Sequence, residues 1–426
     1  MLRRSGFGVR GSEVDSLLEY GGPADYVDSL LNYDSTDDQG AKATPVPTFE
    51  TIEAPEKGAG DAEVRKYREQ LADQMQELSR WWIRRMIATE QPVAEKLTLL
   101  WHNHFATSAS KVKIASLMAK QNETLRARSL RDFTSLAYAM LTDPAMLVWL
   151  DGRGSKVGSP NENLAREFME IFALGHGNGY SESDVREGAR ALTGWVIRDN
   201  RKAQVVAKAH DDGPKSILGS DGEFDAADFC NIVLAQSQSA AFVSNRLWQQ
   251  LASDSPAPAE VLQRLTTAYG RKRNLRALTA SVLTDPDFLE RTATVVVGPV
   301  EWAVGIARAL NTSHGDTKKV DEIVNTLIRL GQRPFYPPDV GGWPHGRAWL
   351  STSAASIRLH AAGKMARDGD LSTVTETAVG DRIDAIGYMI GVGAWSDRTV
   401  KVLTPLRKSP HLLVAAAVNS PEYLTS

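Results

Sequence analysis

Between residues 61 and 90, Leu71, Met75, Leu78, Trp82 and Met86 recur at steps of four, three, four and four. That spacing lays one apolar stripe along an amphipathic helix. The same period governs most of the chain. A second helix begins after Pro92, carries Val93, Leu97, Leu100 and Trp101, and runs into the WHNHF run at 101–105. Further helices are expected near residues 114–126, 129–141, 161–174, 182–192, 226–236, 240–251, 258–269, 275–283, 299–309, 318–330, 353–366 and 409–418. Strand signals are sparse. The best is residues 203–209, followed by a DDGP turn at 211–214 and by residues 216–218, which together predict one small hairpin. The expected fold is therefore mainly α: a multi-helical single large domain with at most that hairpin.

Residues 35–60 are rich in Pro, Thr, Gly, Asp and Glu and read as a linker. They divide an N-terminal region, residues 1–60 with a helical arm at 11–31, from a helical core over 61–426. Two stretches echo one another: SLRDFTSLAYAMLTDPAML at 129–147 and NLRALTASVLTDPDFL at 274–289 each carry a helix halted by Thr-Asp-Pro, with VNSPEYL at 418–424 a weaker third. Duplication and convergent punctuation of helical hairpins both produce such an echo.

Composition mainly excludes. Lys and Arg number 49 against 52 Asp and Glu, a formal charge of -3, so no bulk electrostatic attraction to nucleic acid is expected. One cysteine, Cys230, rules out an internal disulfide and a cysteine-rich metal site. The LLVAAAV run at 412–418 is far short of the ~18 apolar residues that span a bilayer. The opening MLRRSGFGVRG is basic but has no apolar h-region behind it, which predicts a cytoplasmic protein. There is no Walker A sequence, strand-associated GxGxxG, HExxH or GxSxG, so no nucleotide cofactor is expected.

Ionisable groups crowd two segments. In WHNHF, His102 and His104 lie about 200° apart if the helix continues, and reach one metal together only if it ends near Trp101. In the second, residues 160–195, Glu167 and Glu170 are three apart on one helical face and could share a cation. Glu162, Arg166 and Glu170 equally form an i, i+4 ladder of alternating sign that needs only solvent. Ser181 and Asp184 then resemble a capping box, and Asp184, Arg186, Glu187 and Arg190 repeat the alternation on a second helix. His210 sits in HDDG, where Asp and Gly are ordinary turn formers. GGWPHGRAWL at 341–350 reads as a rigid aromatic loop that either walls a pocket or plugs the core.

At these segments the sequence resembles a large bacterial family catalogued as domain of unknown function 1800. The residues that carry the resemblance are LRRSGFG, LWHNHFATS, LDG with PNENLAREFMEIFALG, DVREGARALTGW, HDDGPKSILG, FVSNRLW, PPDVGGWPHGRAWL and NSPEYL, in the family's order along nearly the whole chain. The resemblance implies a largely helical protein. It also implies that many relatives are exported and are encoded beside an alkaline-phosphatase-like protein, a candidate partner. The family pattern matches His102, His104, Asn161, Glu162, Asn163, Arg166, Glu167, Glu170, Asp184, Arg186, Glu187 and Trp195, and a shared polar set points towards a buried polar site.

Two functions fit these residues. The first is a metal-dependent enzyme, a hydrolase or a non-haem oxidoreductase, with His102, His104, Glu167 and Glu170 as ligands and His210 as a further candidate. Such mixed ligation suits iron, manganese or zinc. Arg166 and Arg186 would position an anionic substrate group or hold the carboxylates, and Glu162 and Glu187 complete the candidate catalytic set. The second is a non-catalytic helical module that binds a partner protein or glycan, its His, Glu and Arg groups forming a buried structural network.

Overall fold

The computed structural model describes residues 1–33, 37–198, 201–290 and 295–426. The apolar stripe at 71–86 lies on a helix over Asp61–Ala88 that buries Met75, Leu78, Trp82 and Met86, while Leu71 stays half-buried. Pro92 then opens the next helix, Pro92–His104, where a missing N–H costs nothing. From Val93 to His104 every residue of this helix is buried. A helix covered on all sides has to lie inside the protein.

It lies between two apolar cores. One contains Trp82, Met86, Leu99, Trp302, Phe335 and Trp343. The other contains Val93, Leu97, Leu100, Trp101, Phe105, Phe133, Phe168 and Phe229. An unpaired buried polar group costs about 1–3 kcal/mol, and most polar side chains on this helix have partners. Glu95 accepts from Trp82 Nε1 at 2.8 Å, Arg85 Nε at 2.9 Å and both Arg126 Nε and Nη2 at 2.6 and 2.7 Å. Burial alone would raise the Glu95 carboxyl, but Arg126 and then Arg85 outweigh it and hold its pKa at about 2. Lys96 pairs with Glu301 at 2.5 Å. Thr98 donates to the Ala94 carbonyl at 2.7 Å, and Asn103 accepts from the Trp343 N–H at 2.7 Å.

The remaining helices surround this element, and the mainly helical expectation holds. The stretch expected as one helix at 161–174 is divided: an α-helix over Asn163–Glu167 passes into a π-helix over Phe168–Ala173, with the Leu174 N–H donating to the Met169 carbonyl at 2.9 Å. The two echoed segments meet where they begin, Phe133 N–H donating to Arg273 O at 2.8 Å and Leu275 N–H to Arg131 O at 2.9 Å. In the first of them the Asp of Thr-Asp-Pro caps the short helix Pro144–Trp149: Asp143 Oδ1 accepts from the Ala145 and Met146 N–H groups.

The expected hairpin is corrected. Its two halves do not pair with each other; each pairs with a different neighbour. Strand β1 (Trp195–Ile197) pairs antiparallel with β2 (Ala203–Val205), and β3 (Lys215–Ile217) with β4 (Ser220–Gly222). The β3–β4 turn is Leu218–Gly219, with φ of 49° and 81°. Positive φ at both central residues is the geometry that usually selects Asn-Gly, so Leu-Gly gave no warning. The DDGP segment, in place of a turn between strands, anchors the end of the Glu182–Ala191 helix through Arg190.

The N-terminal residues pack into the body. Phe7 belongs to the first core and Val27 and Leu31 to the second. The expected linker contains a short helix, Gln39–Ala43, capped by Asp38, whose carboxylate also takes the Thr89 hydroxyl and the Glu90 N–H; residues 34–36 lie outside the described residues. Replacement of Glu95 by Ala removes the buried carboxylate that two guanidinium groups and an indole N–H share, and chemical denaturation should show a loss of about 3–5 kcal/mol, whereas Arg131→Ala, on an exposed residue, should cost under about 0.5 kcal/mol.

Candidate functional site

The helix that carries the two histidines does not stop at Trp101 but continues to His104, so their imidazoles leave opposite faces. His102 enters the first core. Its ring packs edge-on against Trp82 at 5.3 Å and Phe335 at 5.4 Å between centroids, and tilted against Trp343 at 5.5 Å. Neither of its nitrogens has a hydrogen-bond partner. His104 enters the second core among Trp101, Phe105, Phe133 and Phe172. Its Nε2–H donates to the Phe172 carbonyl at 3.0 Å, in the π-helical segment, and Nδ1 has no partner.

Both rings are held neutral. Burial pushes His102 down to about 3. Burial also takes His104 to about 3, with the nearby Arg246 charge adding to it and the Phe172 carbonyl opposing.

Of the carboxylates expected to complete a metal site, Glu170 is engaged locally. Glu170 meets the exposed His176 ring and accepts from the Tyr180 hydroxyl at 3.2 Å. Glu167 is half-buried, and its pKa is raised by burial and then by the neighbouring Glu170 charge. Of the four residues expected to share one ion, His102 and His104 enter separate cores and Glu170 faces His176. Among the described residues no group of three or more His, Cys, Asp and Glu side chains is arranged to hold a metal ion.

Ladder and cap account for most of the rest. Arg166 forks onto both oxygens of Glu182 at 2.7 and 2.8 Å and reaches Glu162 at 3.0 Å. The Glu182 fork raises the Arg166 pKa, and Arg166 lowers that of Glu182 in return. Arg186 is exposed. Ser181 and Asp184 complete their capping box at the start of the Glu182–Ala191 helix, and Asp184 also accepts from the Leu218 N–H at 2.6 Å.

The last turn of that helix is clasped by the HDDGPK segment. Arg190 donates to Glu187 at 2.6 Å, forks onto Asp211 at 2.8 and 3.0 Å, and reaches the Pro214 carbonyl at 3.0 Å. His210 Nδ1–H donates to the Thr193 carbonyl at 3.0 Å, and the Asp211 N–H to the Thr193 hydroxyl at 2.8 Å. Lys215, though buried, donates to the Asp211 and Gly213 carbonyls at 2.6 and 2.9 Å. Gly194, at φ 91°, leaves room for the His210 backbone, which would stand 3.0 Å from a Cβ there.

The motifs thus close on one another. DVREGARALTGW grips HDDGPKSILG, and the aromatic loop seats its Trp343 N–H on the Asn103 side chain, with Gly342 at φ 91° pressed against the same residue. A family model described as a protein of unknown function (DUF1800) matches residues 1–425. The chain belongs to that family. None of the curated proteins and none of the solved structures matches it.

Several groups in this DUF1800 chain carry weight that the sequence did not flag. Glu95 and Arg126 stand inside expected helices with no motif to mark them. His176 reads as a lone histidine. Arg246, in FVSNRLW, approaches His104 and donates to the Gly341 carbonyl at 3.5 Å. Only the last had a signal, since an arginine amid the apolar residues of a family motif must reach something polar.

The imidazoles give a pH prediction. Their folded pKa of about 3 lies below the unfolded value near 6.5, so the stability each supplies is whole above pH 6.5 and lost as pH falls towards 3. For His102 alone this amounts to about 2 kcal/mol between pH 7 and pH 5. His102→Phe removes that term together with two unpartnered nitrogens. Urea denaturation should place the variant within about 1.5 kcal/mol of the parent at pH 7, and about 2 kcal/mol higher relative to it at pH 5 than at pH 7.

Proposed function

We propose that the chain is a non-catalytic helical binding module whose His, Glu and Arg groups form a structural network, and that it acts by docking onto a partner protein. One observation carries this reading: Arg166, Arg190, Asp184 and His210 spend donors and acceptors on neighbouring side chains and backbone groups. The Arg166, Arg190 and Asp184 contacts have this character, and the imidazoles sit neutral in two separate cores. Catalysis by a general acid, base or metal needs ionisable groups gathered around one accessible point, and here the same residue types are dispersed as clasps between elements.

The alkaline-phosphatase-like protein implied by the family resemblance is the first partner to test. Untagged protein, analysed for metals and melted with and without a chelator, separates this reading from its rival. The expected result is less than about 0.1 equivalent of iron, manganese or zinc and an unchanged melting temperature. One equivalent of metal, with melting lowered by several degrees on chelation, would overturn the proposal and return the chain to metal-dependent chemistry.

A further inference from the structure

The motifs at the two ends of the sequence serve the fold, Arg3 donating to the Glu422 carbonyl at 2.7 Å and to the Tyr423 carbonyl. Groups left open lie instead along the helix Asp61–Ala88, where Arg68, Leu71, Ala72 and Met75 form one wall of a cavity of about 260 Å³. Ala109, Ser110 and Lys113, on and just after the short helix Ala109–Val112, form a second wall, and Tyr336 a third. The lining is layered. Met75 and Ala109, each 2% exposed, make an apolar floor; Leu71 and Tyr336 are half-buried; Arg68, Ala72, Ser110 and Lys113 stand exposed at the rim.

The charge at this rim has one sign. Arg68 and Lys113 are the charged side chains of the lining, and neither makes a hydrogen bond or an ion pair with another described residue. Lys113 is placed by the backbone, at φ 58° where the short helix ends. Beside the cavity, Arg333 stacks 3.9 Å from the centre of the Tyr336 ring and donates to the neutral side chains of Gln76 and Ser79 at 2.9 and 3.4 Å. Glu69 and Asp73 each follow a lining residue by one position, about 100° around the helix axis, and do not line the cavity. Asp61 lies roughly two turns before Arg68. Asp151 pairs with Lys111 at 2.7 Å, and Asp339 accepts the Gly341 N–H at 2.8 Å.

We infer that this cavity binds a small aromatic monocarboxylate, its ring against Leu71, Met75 and Tyr336 and its carboxylate between Arg68 and Lys113. A ring suits these walls, since a thioether and an aromatic side chain both make favourable contacts with one. The size agrees: a cavity of about 150 Å³ holds a benzene ring, which leaves room here for a short acidic arm. The inference goes beyond the docking reading and does not rest on it, since metal content does not bear on this cavity.

Titration calorimetry of the whole protein with phenylacetate and with neutral phenylacetamide tests the assignment. The acid should bind saturably at one site, about fivefold more tightly than the amide at low ionic strength. In about 1 M salt, which screens charges beyond about 3 Å, that advantage should shrink to under about twofold. The Arg68→Gln, Lys113→Gln double variant should bind both compounds with equal affinity; both positions are exposed, so its melting temperature should stay within about 2 °C of the parent. Ala72→Trp, also at an exposed position, fills the cavity and should weaken both compounds at least about tenfold. If Ala72→Trp melts early, the double variant decides, because it must erase the preference for the acid. Equal affinity of the parent for acid and amide, or a preference that survives the double variant, overturns the assignment to an anion. Absence of saturable binding, or binding that a folded Ala72→Trp leaves unchanged, overturns the site.

Discussion

The helix Pro92–His104 is buried on every side, and that one constraint organises the molecule. A surface helix offers one face to a core; this one has to be enclosed, and two apolar cores are built against it. Enclosure also decides the fate of its polar residues. Each had to acquire a partner or become neutral, and the outcomes differ by residue. Glu95 keeps its charge because two arginines and an indole surround it. Lys96 is matched by Glu301. His102 and His104 are neutral. A residue type that a sequence reader associates with acid–base chemistry serves here, twice over, as a flat, half-aromatic packing group.

The fold was readable because its signal is redundant. The 3.6-residue period repeats along most of the chain, so an error in any one segment leaves the class unchanged. The hairpin was less readable. Its turn uses leucine at positive φ, and the Asp-Gly signal that suggested a different turn is spent on a clasp to Arg190 and Lys215. A turn-forming residue carries two meanings, a backbone preference and a hydrogen-bonding side chain, and short-range pattern shows only the first.

The site was the least readable part, for a geometric reason. Spacing along a helix gives angles about its axis, but says nothing of what lies on each side. Once the helix runs to His104, the interval of two residues is enough to send the rings into different cores. Glu167 and Glu170 sit where the helix widens into a π-turn, which apolar periodicity does not announce. The capping box at Ser181, by contrast, depends only on local chain geometry, and it formed as its residues indicate. The capping rule carried over intact, whereas every inference that required two distant segments to meet depended on packing that the residues do not spell out.

The grip of Arg3 on the Glu422 and Tyr423 carbonyls joins positions separated by 419 and 420 residues. Contacts of such separation carry the largest loop-closure entropy. During synthesis the first helical turns emerge early and wait, with part of their apolar surface uncovered, until residues 422 and 423 have left the ribosome. Maturation of this corner is thereby coupled to the progress of translation, so that a chain stalled a few codons before that point would hold most of both cores and still lack its closing latch.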